Sequence, residues 1–546
     1  MNKSLPIGTD NFRTLRENNK YYVDKTLMIK DFMKYNMEVS LITRPRRFGK
    51  TLNMTMMREF FDINRDSKSI FEGLNIMSTA CVKQINSTPT IYLTFKNCTG
   101  NTLDLLKDGL AKAIRSEYMR FYDIFGHTVD KNSNDYIIFY KTYEALIVGD
   151  VSDSFLKSSL SELIKAVHCF YRQKPLVLID EYDQPFIKAH EMGFRDEFSS
   201  LYGGVLGEAL KGNEHLGQAL LTGIQRVAKE SIFSELNNFL VYTVLSEQYS
   251  PYFGLTTDET RLLLNDYGVE LNDAICSYYD GYLFSQLSMY NPWSILCFLN
   301  TLQLRPYWIN TSTNSLIRES IKGAERDFMT AFEKLIIDGE VEVSVNLEAS
   351  FFELASTKTL WGLLVNSGYL TVTEETFYER KVLKIPNQEV KEEFRSIVAT
   401  YTRLSADTLQ ELFIALVTQD MKRFLDIYQK LVYEYVSFYD IKENSYHMLL
   451  LGMAISMADM YKITSNQEAG DGRPDIVLES LQPELRPHII FEIKQGDNVE
   501  TLKQEALAQI LNKKYYVKLK GKVLCVGLAH SKKKCELVHH EILHCQ

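Results

Sequence analysis

The sequence predicts an α/β chain built on a parallel sheet, and three features carry that expectation. Pro175-Leu176-Val177-Leu178-Ile179 and Ala219-Leu220-Leu221-Thr222-Gly223 are short, continuous apolar runs, the pattern of strands covered on both faces. Helix-like stretches separate them, as crossover connections between parallel strands require. A second α/β pattern starts after residue 436, beyond a helical and tyrosine-rich middle.

Taken in order, Glu38-Val39-Ser40-Leu41-Ile42-Thr43 reads as a strand. Thr51 to Phe61 reads as an amphipathic helix with Leu52, Met56, Met57 and Phe60 on one side. Thr90 to Phe95 is a further strand. Residues 250 to 350 look mostly helical, with Tyr278-Tyr279-Asp280-Gly281-Tyr282 and Tyr290-Asn291-Pro292-Trp293 inside them. Leu360 to Leu364 then ends a helix, Gly368 to Val372 and Lys381 to Ile385 form a strand pair, and Gln388 to Thr400 form a helix, a winged-helix-like order. Residues 405 to 436 are helical again. These shifts divide the chain at 1–250, 251–404 and 405–546, in keeping with its 546 residues.

Composition narrows the class. Apolar residues at 45% and charged residues at 24% exclude wholesale disorder. A net charge of -9 argues against a protein coated in nucleic acid but leaves room for a local basic face. The eight cysteines are scattered without a Cys-x-x-Cys pair, so no zinc or disulfide framework is expected. The N-terminus has no apolar signal region, and no apolar run reaches the ~18 residues of a membrane span. The expectation is a soluble, cytoplasmic protein with no membrane partner.

Two constellations carry chemistry. Arg44-Pro45-Arg46-Arg47-Phe48-Gly49-Lys50-Thr51 lies between a predicted strand and a helix and ends as a P-loop does. Backbone amides across Arg46, Arg47, Phe48 and Gly49 would cradle phosphates, Lys50 would reach the β and γ oxygens, and the Thr51 hydroxyl would bind Mg²⁺. Arg44 stands where the motif has its first glycine. Downstream, Leu176-Val177-Leu178-Ile179-Asp180-Glu181 is an apolar strand ending in two carboxylates. Asp180 sits where an acid would hold Mg²⁺, and Glu181 where a base would polarise the attacking water. Thr222 closes the next strand as a γ-phosphate sensor, and Arg226 could act as an arginine finger. A basic strand-to-helix turn and a solvated strand end are the structural alternatives.

Tyr21-Tyr22-Val23-Asp24-Lys25-Thr26, the Arg44–Thr51 run, Leu178-Ile179-Asp180-Glu181-Tyr182-Asp183 and Leu221-Thr222-Gly223-Ile224-Gln225-Arg226 resemble the bacterial AAA-ATPase-like family, and Tyr279 to Tyr282, Asn291 to Ser294 and Lys384 to Asn387 extend the resemblance. It implies ATP binding, makes Arg at position 44 an ordinary variant, and implies a C-terminal PD-(D/E)XK nuclease-like domain with a restriction-endonuclease-like α/β fold.

That C-terminal region holds the second constellation. Asp475 heads an apolar strand, and Ile489-Ile490-Phe491-Glu492-Ile493-Lys494 aims Glu492 and Lys494 at one face by its period of two. Asp475 and Glu492 could share Mg²⁺, with Lys494 acting on the nucleophile or the charged transition state. Glu443, four residues before His447 on an apolar helix, matches the helical acid of such metal sites, and Glu468 competes with it. Gln509, followed by Tyr515 and Tyr516, matches a Gln…Tyr pattern of related nuclease-like domains. Ten lysines between Lys494 and Lys534 face only Asp497, Glu500 and Glu505, a basic stretch suited to DNA or RNA phosphates or to a solvated surface. His539, His540 and His544 read as part of a frayed C-terminal helix rather than as ligands.

The sequence thus predicts a P-loop ATPase using ATP and Mg²⁺, coupled to a Mg²⁺-dependent nuclease-like domain acting on DNA or RNA. The alternative is an ATP-driven nucleic-acid-binding switch without cleavage. A decayed interaction protein is disfavoured by intact Lys50, Asp180, Glu181, Asp475, Glu492 and Lys494. Homo-oligomerisation stays open.

Overall fold

A computed structural model describes residues 3–126, 128–149, 152–226, 239–308, 320–321, 324–348, 356–376, 380–401, 406–435, 443–455, 457, 460–465 and 469–544. Five parallel strands form its main sheet: β1 (Val39–Thr43), β2 (Thr90–Thr94), β3 (Leu176–Asp180), β4 (Gln218–Gly223) and β5 (Phe239–Tyr242). Their spatial order is β2–β3–β4–β1–β5. Every residue of β1 and β3 is buried, Ser40 and Thr43 included, as strands in a covered parallel sheet should be. Because all five strands run the same way, their carboxyl ends share one edge. The order sets Thr43 beside Gly223 and brings Ile179 beside Leu221. The loops after β1, β3 and β4 therefore meet by topology alone.

Helices cover the sheet. In Leu103–Phe125, residues Leu106, Leu110, Ile114, Tyr118, Phe121 and Phe125 recur at intervals of three or four and are all buried. The Thr102 side chain caps this helix by accepting from the Leu105 amide. The helix after the predicted P-loop, Lys50–Phe61, departs from its one-sided expectation. Met54, Met56, Met57, Phe60 and Phe61 are buried, but so are Asn53, Thr55 and Glu59, while Leu52 is only half-buried. Its polar positions are buried because each has a partner. Asn53 donates to Tyr252 O, Thr55 Oγ1 accepts from the Phe12 amide, and Glu59 pairs with Arg13 and Arg65.

The chain forms two compact units. The first joins residues 1–320 to 342–390, and the second joins 321–341 to 391–546. Of the middle region expected at 251–404, residues 251–320 and 342–390 fall in the first unit and 321–341 and 391–404 in the second. Residues 255–290 contribute a small antiparallel sheet, β6 (Leu255–Thr256), β7 (Tyr282–Phe284) and β8 (Leu287–Tyr290), ordered β6–β8–β7. Their aromatic side chains pack on the loop after β1, with the Phe48 ring 5.0 Å from Tyr282 and 5.1 Å from Phe284. Within the first unit this stretch packs a core cluster of its own, including Leu255, Leu263, Ile275, Tyr279 and Tyr290, together with Ile295. Gly281 adopts φ +107°, and a Cβ there would lie 1.9 Å from Pro386 O, so only glycine fits. The winged-helix-like order is present: helix Thr357–Asn366, hairpin β10 (Thr371–Glu375) and β11 (Arg380–Lys384), and helix Gln388–Tyr401. Strand β9 (Glu340–Ser344) completes that sheet beside β11.

The second unit contains β12 (Tyr461–Ser465), β13 (Ile476–Ser480), β14 (His488–Gln495), β15 (Gly521–Ser531) and β16 (Lys534–His544), in sequential order. Only β14 and β15 pair in parallel, and helix Val499–Asn512 bridges them. Residues 539–544 are strand, which corrects the expected C-terminal helix. The central part of β15 is buried, so its backbone groups need a partner on the open edge, and β16 supplies pairing along its whole length. Adjacent His539 and His540 consequently point to opposite faces. Among the described residues no helix is long and apolar enough to cross a membrane.

Candidate functional sites

The loop after β1 is curled by two residues with positive φ, Arg47 at +67° and Gly49 at +86°. Its carbonyls are held from outside. Arg46 O accepts from Trp308 Nε1 at 3.1 Å, and Phe48 O accepts from the Gly254 amide at 3.0 Å. The Arg47 guanidinium lies over Trp293, 4.4 Å from the ring centre. The first amides of helix Lys50–Phe61 have no intrahelical acceptor, so they would serve as anion donors. Phe48 is fully buried among aromatic rings, so its side chain is core and only its backbone can serve a ligand.

Arg44, the residue in place of glycine, is also fully buried. It donates to Thr43 O at 2.7 Å and Tyr242 O at 3.0 Å, with the Phe253 and Phe284 rings each 5.3 Å away. It thus ties the end of β1 to β5. Burial pushes its guanidinium down to about 9. Lys50 Nζ bonds Arg44 O at 2.9 Å and Pro45 O at 2.8 Å, spanning the loop from inside. Burial lowers this ammonium to about 8, while Glu181, Asp183 and Asp180 favour its charge.

At the end of β3, Asp180 is fully buried. Thr222 Oγ1 donates to Asp180 Oδ1 at 2.7 Å, whereas Oδ2 has no hydrogen-bond partner. Burial raises this carboxyl, and the hydroxyls of Thr222 and Thr51 and the Lys50 ammonium oppose the rise. Glu181 has φ +53°, a strained conformation for a long side chain, and is raised by burial and then by the Asp180 charge. Both effects move a carboxylate toward the range useful to a general base. Arg226 follows β4, its guanidinium 5.9 Å from the Phe239 ring centre and its Nε buried without a partner.

Sequence reasoning assigned no role to Tyr182, Asp183 or Lys25. Lys25 Nζ contacts both Glu259 carboxylate oxygens at 2.6 Å and Pro251 O at 2.7 Å, so the Tyr21–Thr26 run anchors the N-terminal segment. Between that segment and the start of helix Lys50–Phe61 lies a mostly apolar cavity of about 90 Å³, lined by Tyr21, Val23, Gly49, Leu52, Leu255 and Leu296 among others. The paired tyrosines before the P-loop were its only sequence signal.

In the second unit, the β13–β14 register pairs Ile476 with Phe491, which sets Asp475 opposite Glu492. Asp475 Oδ2 accepts from the Ile493 amide at 2.6 Å. Glu492 is 3% exposed. Its Oε1 accepts from Gln509 Nε2 and lies 3.6 Å from Lys494 Nζ, and its Oε2 is buried without a partner. Gln509 Nε2 also reaches Tyr515 OH at 3.1 Å. Burial first, and the Asp475 charge next, push Glu492 up to about 8. His447 joins this group, with Nδ1 4.0 Å from Asp475 Oδ1 and Nε2 2.8 Å from Ser465 Oγ. Burial lowers it to about 4, leaving the imidazole neutral at ordinary pH. Glu443 begins helix Glu443–Ile455, but its side chain, like all of Glu468, lies outside the described residues.

The unpaired oxygens of Asp180 and Glu492 suit a cation, since each is a buried acceptor without a donor. Thr51 and Asp180 would hold it in the first site, Asp475 and Glu492 in the second. Among the described residues no three His, Cys, Asp or Glu side chains are placed to share one metal ion. The basic stretch is partly neutralised. Lys503 pairs with Glu500 and Glu536, Lys522 with Glu541, and Lys534 with Glu536, while Lys533 Nζ lies over the Tyr433 ring. Lys513, Lys514, Lys518 and Lys520 are exposed on the turn that carries Tyr515.

Residues 6–233 match the model of the predicted AAA-ATPase family, AAA-ATPase-like. Residues 441–540 match the PD-(D/E)XK nuclease superfamily. The chain is also 27% identical over 402 residues to a protein of Azotobacter chroococcum mcd 1 described as an uncharacterized protein in the vnfD 5' region, covering 71% of this chain and 68% of that one. The sheet edge lies within the stretch similar to the predicted AAA-ATPase family, and the Asp475–Glu492–Lys494 cluster lies within the stretch similar to the PD-(D/E)XK nuclease superfamily.

Proposed function

We propose that the protein is an ATP hydrolase whose nucleotide cycle licenses Mg²⁺-dependent cleavage of DNA or RNA by the C-terminal domain. The observation that carries this reading is the shared sheet edge, where the start of helix Lys50–Phe61 and the Lys50 ammonium meet Asp180 and its unpaired oxygen. The apolar cavity beside Gly49 supports a place for the nucleobase, next to the amides that would take the phosphates. Lys50 holds the β and γ oxygens. Glu181 accepts the proton of the attacking water as its oxygen bonds to the γ phosphorus and the β–γ bridge breaks. Arg226 stabilises the charge that develops. Bound Mg²⁺ would neutralise phosphate charge in the first site and activate water in the second. There Lys494 orients the nucleophile, Gln509 holds Glu492, and His447 buttresses Asp475. The exposed lysines around Tyr515 attract the nucleic-acid backbone.

A second reading, binding without cleavage, draws support from Glu492. Burial and the Asp475 charge raise this carboxyl, which favours its protonated form until a cation displaces the proton. The test incubates purified protein with plasmid, single-stranded DNA and RNA, with Mg²⁺ or Mn²⁺, with and without ATP. Cleavage lost in Lys494→Ala supports the nuclease. Retention of the nucleic acid without product supports the switch.

A further inference from the structure

Two short segments at the sheet edge, Asp180–Asp183 after β3 and Thr222–Arg226 after β4, are tied together more closely than the strands alone require. The Tyr182 amide donates to Thr222 O at 3.0 Å, and Tyr182 OH donates to Gln225 O at 2.8 Å. Asp183 Oδ2 accepts from the amides of both Ile224, at 2.8 Å, and Gln225, at 3.1 Å. Gly223 closes the joint, since a Cβ there would lie 2.7 Å from Tyr182 Cε1 and 2.8 Å from Asp183 Oδ1. Asp183 is 2% exposed. It occupies the N-cap of helix Gln184–Glu191, where an aspartate ordinarily accepts from its own helix, yet it makes no such bond. Its carboxylate serves the neighbouring strand's turn instead.

We propose that Asp183 is a positioning residue for phosphoryl transfer, fixing the turn that carries Arg226 relative to Glu181. The proposal rests on the ATPase reading. The two residues assigned to the attacking water and to the developing charge arrive on separate loops, and both must address one phosphoryl group. Misplacement by about 1 Å costs on the order of 100-fold in rate. Asp183 accepts from the two amides just before Arg226 and sits two residues after Glu181, so one carboxylate sets their spacing. Lys50 feels the Asp183 charge, but its Nζ is held by Arg44 O and Pro45 O.

The test compares full-length wild type, Asp183→Ala, Asp183→Asn, Arg226→Ala and the Asp183→Ala/Arg226→Ala double variant in Mg-ATP hydrolysis and Mg-ATP titration. Asp183→Ala should lower kcat by roughly tenfold or more while the nucleotide Kd stays within about twofold. Asp183→Asn keeps an acceptor oxygen and should recover most of the rate. The double variant should be no slower than Arg226→Ala alone, because Asp183 acts through that turn. Should Asp183→Ala fail to fold, Asp183→Ser takes its place under the same criteria. Wild-type turnover with the Asp183 variant at the parent rate overturns the proposal alone, as do losses that multiply in the double variant or an Asn variant as slow as Ala. A wild type that turns over no ATP overturns the ATPase reading and this proposal with it.

Discussion

Replacing Glu492 by Gln separates the electrostatics of the second site from its packing. Glu492 rises from an ordinary 4.5 to about 8, through burial and the Asp475 charge. Between those values the folded state holds a proton that the unfolded state has released, so stability falls as pH rises through this window and levels off above it. A shift of this size corresponds to several kcal/mol at ~1.4 kcal/mol per unit, an upper bound for a pair as tightly coupled as Asp475 and Glu492. Glu492→Gln removes the titration while nearly preserving shape. In metal-free buffer the variant should match wild type near pH 5 and melt higher near pH 9. Added Mg²⁺ should reverse that order. A cation binding only the folded state contributes about 2.7 kcal/mol at 100 times its Kd, and the variant loses one ligand. Calorimetry of the full chain from pH 5 to 9, with chelator or with Mg²⁺ or Mn²⁺, reads both effects. Parallel pH profiles for the two proteins, with no metal-dependent difference, would refute the assignment of Glu492 as a buried metal-facing carboxylate.

Other outcomes follow from the same geometry. Lys50→Ala should abolish ATP turnover, whereas Glu181→Gln should bind Mg-ATP and fail to hydrolyse it; steady-state hydrolysis and titration calorimetry distinguish the two. Charge reversal at Lys513, Lys514, Lys518 and Lys520 should weaken nucleic-acid binding and flatten its salt dependence, while reversal at the paired Lys522 and Lys534 should do much less, as read by anisotropy across a salt series. Gly281→Ala drives a Cβ into Pro386 O at a positive φ and should destabilise the first unit by about 2 kcal/mol or more, measured by thermal melting.

How much of this was legible in the sequence depends on the range of the interaction. Strands β3 and β4 announced themselves because burial on both faces leaves a short continuous apolar run. Glu492 and Lys494 were readable from period two alone. The small sheet β6–β8–β7 was not, since its strands are two to four residues long and present no period. The terminal strand was misread because its exposed and half-buried residues do not alternate cleanly. Lysine pairing was invisible for a different reason: Lys503 and Glu536 lie on separate elements brought together by the sheet. Asp183 shows the same limit, since the amides it accepts from are 41 and 42 positions away.

The two candidate sites share one physical arrangement on unrelated sheets. In each, a carboxylate is buried, one oxygen is fixed by a neutral donor, and the other faces no donor: Thr222 fixes Asp180, and Gln509 fixes Glu492. An unpaired buried acceptor costs about 1 to 3 kcal/mol, which packing alone would favour removing by substitution with an apolar residue. Each site instead orients the carboxylate and keeps a lysine nearby, Lys50 in one and Lys494 in the other. An ammonium at that distance favours the charged form of the carboxylate without occupying its free oxygen. That combination is poor for stability and well suited to drawing a cation and a phosphate into the same place. It makes the carboxylates and their lysines separable by experiment: loss of the acid should abolish metal-dependent stabilisation, and loss of the lysine should leave it intact while turnover fails.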